Sequence, residues 1–250
     1  MVGKTHGNTQ RAKEIGMAKQ ARTIVGENLT PTLLRELGAV DTFPRTPAGF
    51  QPDGNWTNKY RIWTCHGYRE SGNENVGSLK IARRADSAKT FVLTMRQEII
   101  QTDGPTNIVE GTMKCRCDQL ASPIEWNLLS QFAGSDGRVF SELGSRNHGV
   151  ATESVTSTTS DWALFEVVQR LAFDKKDSLK FDLLEGMSLS KLGHRLSYRG
   201  TFPMKMGAQS VPLHCFAQLG WGILPYEYWL DDRHRLLAVM SMNKAYILDE

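Results

Sequence analysis

From residue 60 to the end of the chain, apolar and polar side chains alternate with a period of two. Phe91, Leu93 and Met95 alternate with more polar neighbours, and the pattern resumes from Val109 after the turn at 102–105. Because successive side chains of a strand point to opposite faces of a sheet, this alternation indicates strands with one face in a core and the other in water. The segment therefore predicts two consecutive strands joined by a tight turn.

The same reasoning predicts ten further strands. They are Tyr60–Tyr68, Val76–Ala85, Ile124–Phe132, Arg138–Leu143, Leu179–Leu184, Arg195–Arg199, Val211–Trp221, Tyr226–Leu230, Leu236–Met240 and Ala245–Leu248. Sequential strands joined by short connections favour an antiparallel sheet. The clearest hairpin pairs Tyr226–Leu230 with Leu236–Met240 across the polar connection 231–234.

Helical signals stand at two places. Ser160 and Asp161 suit the cap and first turn of a helix that ends near Arg170 and covers one face of the sheet. Nearer the start, 10–25 and 30–38 have helical periodicity, and 42–58 is rich in Pro and Gly. We therefore expect a mainly β protein with one covering helix, in which 1–58 forms a helical N-terminal arm with its linker and 59–250 forms the antiparallel β domain. The stretch 152–160 fits either an exposed strand or a long loop.

The closing hairpin carries a resemblance to a known group of proteins. Its sequence Pro-x-x-Tyr-Trp-Leu-Asp-x-x-x-Arg-Leu-Leu, from Pro225 to Leu237, resembles uncharacterised exported bacterial families related to the lipoprotein-carrier half-barrel. The resemblance implies a large, curved, half-barrel-like sheet whose apolar groove holds a lipid or another hydrophobic group. It also implies a place in the periplasm or cell envelope, and it defines no catalytic residues.

Composition and charge narrow the classes of partner. No run approaches the roughly 18 apolar residues of a membrane-spanning helix, and the first thirty residues lack the apolar core of a signal peptide, so the compartment stays open. The formal net charge of +3 comes from residues 1–30, where five Lys and Arg outweigh two Glu. A nucleic-acid-binding domain usually carries a basic stripe with interleaved aromatic residues, and none is present here. We therefore expect no nucleic-acid partner, no transmembrane segment and an unknown protein partner.

Candidate ligand-binding residues come from the faces of the predicted strands. In Val211–Trp221 the odd positions are apolar and predict a core face, which leaves the even positions for a groove. In the closing hairpin we expect Tyr226, Tyr228 and Leu230 to form the more buried face, with Trp229 lining the groove or lying under a helix. Aromatic rings in a groove enclose acyl chains or stack on sugars. The predicted ligand-binding residues are Trp63, Trp126, His214, Phe216, Gln218 and Trp229.

Two functions from different classes are consistent with these residues, and whether the protein is an enzyme stays open. The first is a non-catalytic binding protein that holds an apolar or amphipathic ligand. The alternative is a carbohydrate-active enzyme, a glycoside hydrolase or polysaccharide lyase, with an aromatic-lined groove. Its acid and base would come from weak candidates, His66, Tyr68, Glu70 and Asp231. No phosphate-binding loop or serine-hydrolase motif occurs, and we expect no cofactor.

The four cysteines predict packing rather than metal binding. Cys115 and Cys117 lie two residues apart on one predicted strand, which is too far for a mutual disulfide without distortion. We expect both to be buried. Cys65 and Cys215 lie on other strands at no recognised zinc spacing, so no metal site is predicted and the disulfide state of all four stays open.

Overall fold

The computed structural model describes residues 43–65, 73–100, 104–133, 140–145, 157–174, 176–206 and 209–250. The predicted helices at 10–25 and 30–38 lie outside these ranges, as do the candidate catalytic residues His66, Tyr68 and Glu70. The helical arm and those three roles therefore stay predictions.

Within these ranges thirteen strands form one sheet, in the order β6-β5-β4-β3-β2-β1-β13-β12-β11-β10-β9-β8-β7. Neighbouring strands are antiparallel, except that the short β7 runs parallel to β8. The strands are β1 (Trp56–Thr64), β2 (Glu74–Ala85), β3 (Thr90–Ile99), β4 (Asn107–Arg116), β5 (Pro123–Phe132), β6 (Phe140–Ser145), β7 (Thr158–Ser160), β8 (Leu179–Glu185), β9 (Leu189–Met206), β10 (Gln209–Leu219), β11 (Tyr226–Leu230), β12 (Leu236–Met240) and β13 (Lys244–Leu248). The expected mainly β, antiparallel fold is confirmed.

The bounds of the observed strands agree with the predicted bounds in some places and differ in others. β11 and β12 have the predicted bounds. β1 begins at Trp56, inside the predicted linker, because the Trp56 side chain is buried in the core. β9 extends well beyond the predicted Arg195–Arg199 on both sides. The prediction was too short because Gly193 and Gly200, which have positive φ angles, interrupt the alternation of apolar and polar side chains within the strand.

The described residues contain one helix, α1 (Asp161–Arg170). Its N-cap is Ser160, whose Oγ accepts a hydrogen bond from Ala163 N at 2.9 Å, as the cap signal predicts. In the described part of the chain, no helix has the length and apolar character needed to cross a membrane. Residues 158–160, which the sequence left as an exposed strand or a long loop, form β7, and this strand is buried rather than exposed.

Contacts between distant strands show that the sheet is curved. β5 lies second from one end of the strand order, yet Trp126 Nε1 donates to the carbonyl oxygen of Met187, between β8 and β9 near the other end, at 2.7 Å. β4 likewise meets the start of α1, where Ser160 Oγ lies 3.5 Å from Met113 Sδ. Within the described residues no ladder joins β6 to β7, so the sheet curls like a barrel but does not close.

Helix α1 lies on the concave side of this sheet. The Phe165 ring meets Tyr60, Tyr228 and Tyr246 edge to face, with centroid distances of 5.4, 6.4 and 5.5 Å. These tyrosines come from β1, β11 and β13, so one helical residue packs against the middle of the sheet. The predicted covering helix is therefore confirmed.

Candidate functional site

A cleft opens on the concave side beside the first turn of α1. Its cavity volume is about 50 Å³. Most of its wall is aromatic or aliphatic, with three polar side chains among the lining residues. The lining consists of Asp161, Trp162, Phe165, Leu183, Glu185, Gln218, Ile223, Tyr226, Tyr228, Val239 and Tyr246. A concave, largely apolar surface with a few placed polar groups is the usual form of a small-molecule site.

The polar groups on the floor of the cleft are paired with each other. Tyr228 donates its hydroxyl hydrogen to Gln218 Oε1 at 2.7 Å, and Gln218 Nε2 lies 3.4 Å from His194 Nδ1. All three residues are buried, and burial lowers the pKa of His194, so its imidazole is neutral at pH 7. The floor is therefore a neutral hydrogen-bonded network that holds the tyrosine and glutamine side chains in place.

Asp161 ties the helix to the turn between β8 and β9. Its Oδ1 accepts from Trp162 N at 2.9 Å, and its Oδ2 accepts from Gly186 N at 3.0 Å. Burial raises the pKa of this carboxyl to about 6, although both backbone N–H groups act to lower the pKa. Asp161 therefore changes charge close to neutral pH.

Two lysines contact residues that line the cleft, although neither lysine lines it. Lys191 Nζ forms an ion pair with Glu185 Oε2 at 2.6 Å. Lys244 Nζ lies 5.5 Å from the centroid of the Tyr246 ring, and desolvation lowers the pKa of this half-buried amine although Asp161 acts to raise it. Burial also raises the pKa of Tyr226. Ionisable groups with shifted pKa values cluster at functional sites, which makes this cleft the candidate site.

The predicted ligand residues of β10 share the face of the cleft, but only Gln218 lines the cleft. His214 and Phe216 lie farther along the strand, where Phe173 covers them. The Phe173 ring stacks on His214 at 3.5 Å and on His234 at 3.9 Å between centroids, and Phe216 is 1% exposed. The segment that follows α1 thus covers Phe216, whereas His214 stays half-buried.

Trp63 and Trp229 lie on the opposite face of the sheet. In the register, Trp229 is the partner of Cys215, whereas Tyr228 is the partner of Phe216 on the concave face. Trp63 likewise follows a concave position, because Ile62 is the partner of Tyr246 and Trp63 is the partner of Ala245. Trp229 is 3% exposed and packs 5.5 Å from the Phe202 ring.

The two faces of the closing hairpin are thus buried alike. Tyr228 is 2% exposed, close to the value for Trp229, so burial does not distinguish the faces. What distinguishes them is the helix, since Phe165 of α1 meets Tyr228. Trp229 therefore occupies a packed position outside the cleft.

The remaining predicted residues serve the framework. Trp126 faces the concave side but joins β5 to Met187 instead of lining the cleft. Asp231 Oδ1 accepts from the backbone N–H groups of Arg233 and Arg235 at 3.0 and 2.9 Å, and its Oδ2 accepts from the Thr46 hydroxyl. This carboxylate holds the turn of the hairpin.

The cysteines follow the strand bounds. Cys65, Cys115 and Cys215 are buried, but Cys117 is exposed, so its expected burial is wrong. β4 ends at Arg116, and the alternation of faces therefore does not extend to Cys117. All four thiols are free, and in the described ranges no three His, Cys, Asp or Glu side chains are grouped to hold a metal ion.

Sequence reasoning missed the groups that give the cleft its charge. Asp161 was identified only as a first-turn residue of the helix, and Lys244 and Tyr246 were not identified. One signal was available, because Lys244 shares a strand face with the apolar residues of β13. A lysine on an otherwise buried face is unusual and deserved testing as a site residue.

Comparisons with known proteins add little beyond the architecture. No protein-family model matches the chain, and no curated protein matches its sequence. One similar solved structure is a β-barrel-like protein of a domain of unknown function, DUF1849, from Brucella abortus. It shares 10% sequence identity over 78% of this chain and 95% of that chain, with a TM-score of 0.45.

Proposed function

We propose that this protein is a non-catalytic binding protein that holds an apolar or amphipathic ligand in the concave cleft. The observation that carries the proposal is the wall of five aromatic side chains around a short rim of polar groups. Such a wall gains free energy by removing apolar ligand surface from water, and the rim meets a polar end. The resemblance of the closing hairpin to the lipoprotein-carrier half-barrel favours the same class of ligand.

The engagement of the carboxyl groups favours binding over catalysis. Glycoside hydrolysis needs a proton donor and a second carboxylate placed across the scissile bond. Asp161 and Glu185 both line the cleft, but Asp161 accepts two backbone hydrogen bonds and Glu185 is ion-paired with Lys191. Both groups are engaged within the fold, which makes the carbohydrate-active alternative the weaker one.

The test is binding of the neutral fluorescent probe N-phenyl-1-naphthylamine. The probe should bind the native protein with micromolar affinity and shift its emission to shorter wavelength. Ile223→Trp should fill the cleft and abolish this binding, and Tyr226→Ala should weaken it about tenfold by removing one aromatic wall. Trp221→Ala is the control, because Trp221 is 84% exposed and does not line the cleft.

Melting temperatures separate loss of the site from loss of the fold. A folded Ile223→Trp variant that still binds the probe would contradict the proposal, as would a native protein that binds no probe. Native mass spectrometry of the freshly purified protein adds a second measurement. A retained lipid-sized mass that disappears in Ile223→Trp would support the proposal.

A further inference from the structure

Large apolar side chains that face water are gathered at one end of the curved sheet. The described residues expose eight side chains of Ile, Leu, Met, Phe or Trp. Seven of the eight lie in the connections at this end or in the first four residues of strands that begin there, and the exception is Leu143 of β6. Five of the seven belong to the neighbouring strands β8 to β13 and their connections. We call these five the apolar tips: Leu189, Leu192, Trp221, Leu224 and Met242.

The order of the strands brings the apolar tips together. In an antiparallel sheet alternate connections lie at the same end, so the connections after β8, β10 and β12 are neighbours. Side-chain contacts join two of them. Lys191 Nζ, at the start of β9, donates to the carbonyl oxygen of Gly222 at 2.6 Å. Trp221 Cδ1 lies 3.9 Å from the position that a Cβ atom at Gly193 would occupy.

The connections that carry the apolar tips contain no charged residue. They are 186–188 (Gly-Met-Ser), 220–225 (Gly-Trp-Gly-Ile-Leu-Pro) and 241–243 (Ser-Met-Asn). At the opposite end of the sheet every connection between 86–89, 117–122 and 231–235 includes at least one charged residue. Charged groups are costly to remove from water, and these three connections present none. The two ends of the sheet therefore differ in how readily they leave water.

The lysines at the apolar end each have an acidic partner. Lys191 Nζ pairs with Glu185 Oε2 at 2.6 Å, and the amine of Lys244 interacts electrostatically with Asp161. The attraction that this surface offers is therefore the removal of apolar area from water, which does not depend on the charge of the partner.

The form of the surface favours a lipid bilayer over a protein partner. The apolar tips stand on three different connections and at the start of β9, so they project from the sheet as separate points. A protein would need a matching depression for each point, whereas fluid lipid adapts to any shape. Trp221, at 84% exposure, combines a large apolar ring with an N–H donor, as the side chains enriched at membrane–water interfaces do.

We infer that this end of the sheet docks on the surface of a phospholipid bilayer, with the apolar tips at the boundary between head groups and acyl chains. The connection that carries Trp221 also supplies Ile223 to the wall of the cleft, so docking places the cleft beside the lipid. The inference goes beyond the proposed function, because it concerns a surface outside the cleft and holds whatever the cleft binds.

The test is flotation of the full chain with vesicles of phosphatidylcholine. This lipid carries no net charge, so the basic segment 1–30 finds no anionic surface to bind. The native protein should float with the vesicles, and to at least the same extent at about 1 M NaCl as at about 0.1 M, because salt screens charges but does not weaken the burial of apolar surface.

Substitutions assign the binding to the apolar tips. Trp221→Ser combined with Leu224→Ser should weaken partitioning into the vesicles at least about tenfold, and Leu192→Ser alone should weaken it about threefold. Leu143→Ser is the matched control for Leu192→Ser and should change nothing, because Leu143 is 83% exposed but lies on the outer face of β6. All these side chains are exposed, so the melting temperatures should stay close to that of the native protein.

Each outcome decides the inference. It is overturned if the native protein does not float, or if the Trp221 and Leu224 variant floats as well as the native protein. Binding that requires phosphatidylglycerol and disappears at high salt would assign the contact to charge and overturn it too. A native protein that stays off the vesicles but forms a dimer, which the same variant dissociates, would show a second copy of the chain as the partner. Naphthylamine binding in the absence of vesicles tests the cleft alone, so the proposed function and the docking surface can fail separately.

Discussion

The two ends of α1 differ in the partners of their buried carboxylates. At the C-terminal end, Glu166 is fully buried between Arg83 and Arg170, with nitrogen to oxygen distances of 3.0 and 2.6 Å. At the N-terminal end, Asp161 accepts hydrogen bonds from two backbone N–H groups instead of pairing with arginines. At one end, which we call the closed end, ion pairs hold the buried carboxylate, and the other end, which we call the open end, borders the aromatic cleft.

The closed end shows what complete pairing requires. Arg170 donates to both oxygens of Glu166 and also to the carbonyl oxygen of Asp118, at the start of the loop after β4. Arg83 donates to the carbonyl oxygen of Gly54 in addition to Glu166. Desolvation raises the pKa of Glu166 while both arginines act to lower the pKa, so the carboxylate depends on its partners. The carboxylate of Glu166 thus depends on two arginines, whereas that of Asp161 is held by backbone N–H groups.

The largest expected effect comes from breaking the closed end. Glu166→Gln removes the only negative charge of this buried group and leaves two arginines beside each other. Removing one partner of a buried ion pair costs about 3–5 kcal/mol of the free energy of unfolding. Urea denaturation at pH 7 measures this loss, and probe binding at the other end of the helix should persist in the variant that remains folded.

The control for this prediction is an exposed ion pair of the same type. Glu110 contacts Arg96 on the outer surface of β3 and β4, and both side chains are more than 40% exposed. Glu110→Gln should cost less than about 1 kcal/mol, because water and salt screen the charges. Equal losses in the two variants would show that the buried group contributes no more than a surface pair.

Much of the fold could be predicted from the sequence because many of its elements have a local signal. The alternation in β3 places Phe91, Leu93 and Met95 in the core at 0 to 3% exposure, and Ser160 caps α1 as predicted. The curvature was not local, since the bond from Trp126 to Met187 joins parts of the chain 61 residues apart. It was expected only through the resemblance of the closing hairpin.

The site was harder to predict because it, like the curvature, depends on contacts between distant parts of the chain. The cleft combines α1 with side chains from β8, β10, β11, β12 and β13, and no local pattern brings these together. Trp229 and Tyr228 have similar burial, so alternation could not identify which face the helix covers. The hydrophobic pattern predicted that the hairpin has two different faces, but it could not identify which face the helix and the cleft occupy.

The second effect concerns the open end and depends on pH. The pKa of Asp161 is raised from 3.8 to about 6 by folding, so the native state binds this proton more tightly than the unfolded state does. The contribution of Asp161 to stability is therefore fully present below pH 4 and is lost as the pH rises through 6. After discounting for the partly exposed position, the change is on the order of 1–2 kcal/mol.

Asp161→Asn tests whether stability falls as the pH rises, because asparagine does not titrate and keeps one acceptor oxygen. The difference in unfolding free energy between the variant and the native protein should shift in favour of the variant from pH 4 to pH 7. Urea denaturation in steps of half a pH unit measures it. A constant difference across this range would mean that the carboxyl titrates at its ordinary pKa.

The smallest effect comes from the cap that places the first turn of α1 beside the cleft. Ser160→Ala removes the oxygen that accepts from Ala163 N, and the loss of such a cap costs about 1 kcal/mol. Ser160→Thr keeps a hydroxyl and should recover most of this loss. Ser87→Ala, in the exposed turn before β3, is the matched control and should stay within about 0.5 kcal/mol of the native protein. Because the first turn carries Asp161 and Trp162, Ser160→Ala should also weaken naphthylamine binding.

Glu166→Gln, in contrast, should lose more stability than Ser160→Ala but less naphthylamine binding. If the ratio of these losses were the same for both variants, the two ends of the helix would not be independent, and the division into a closed framework end and an open binding end would be wrong.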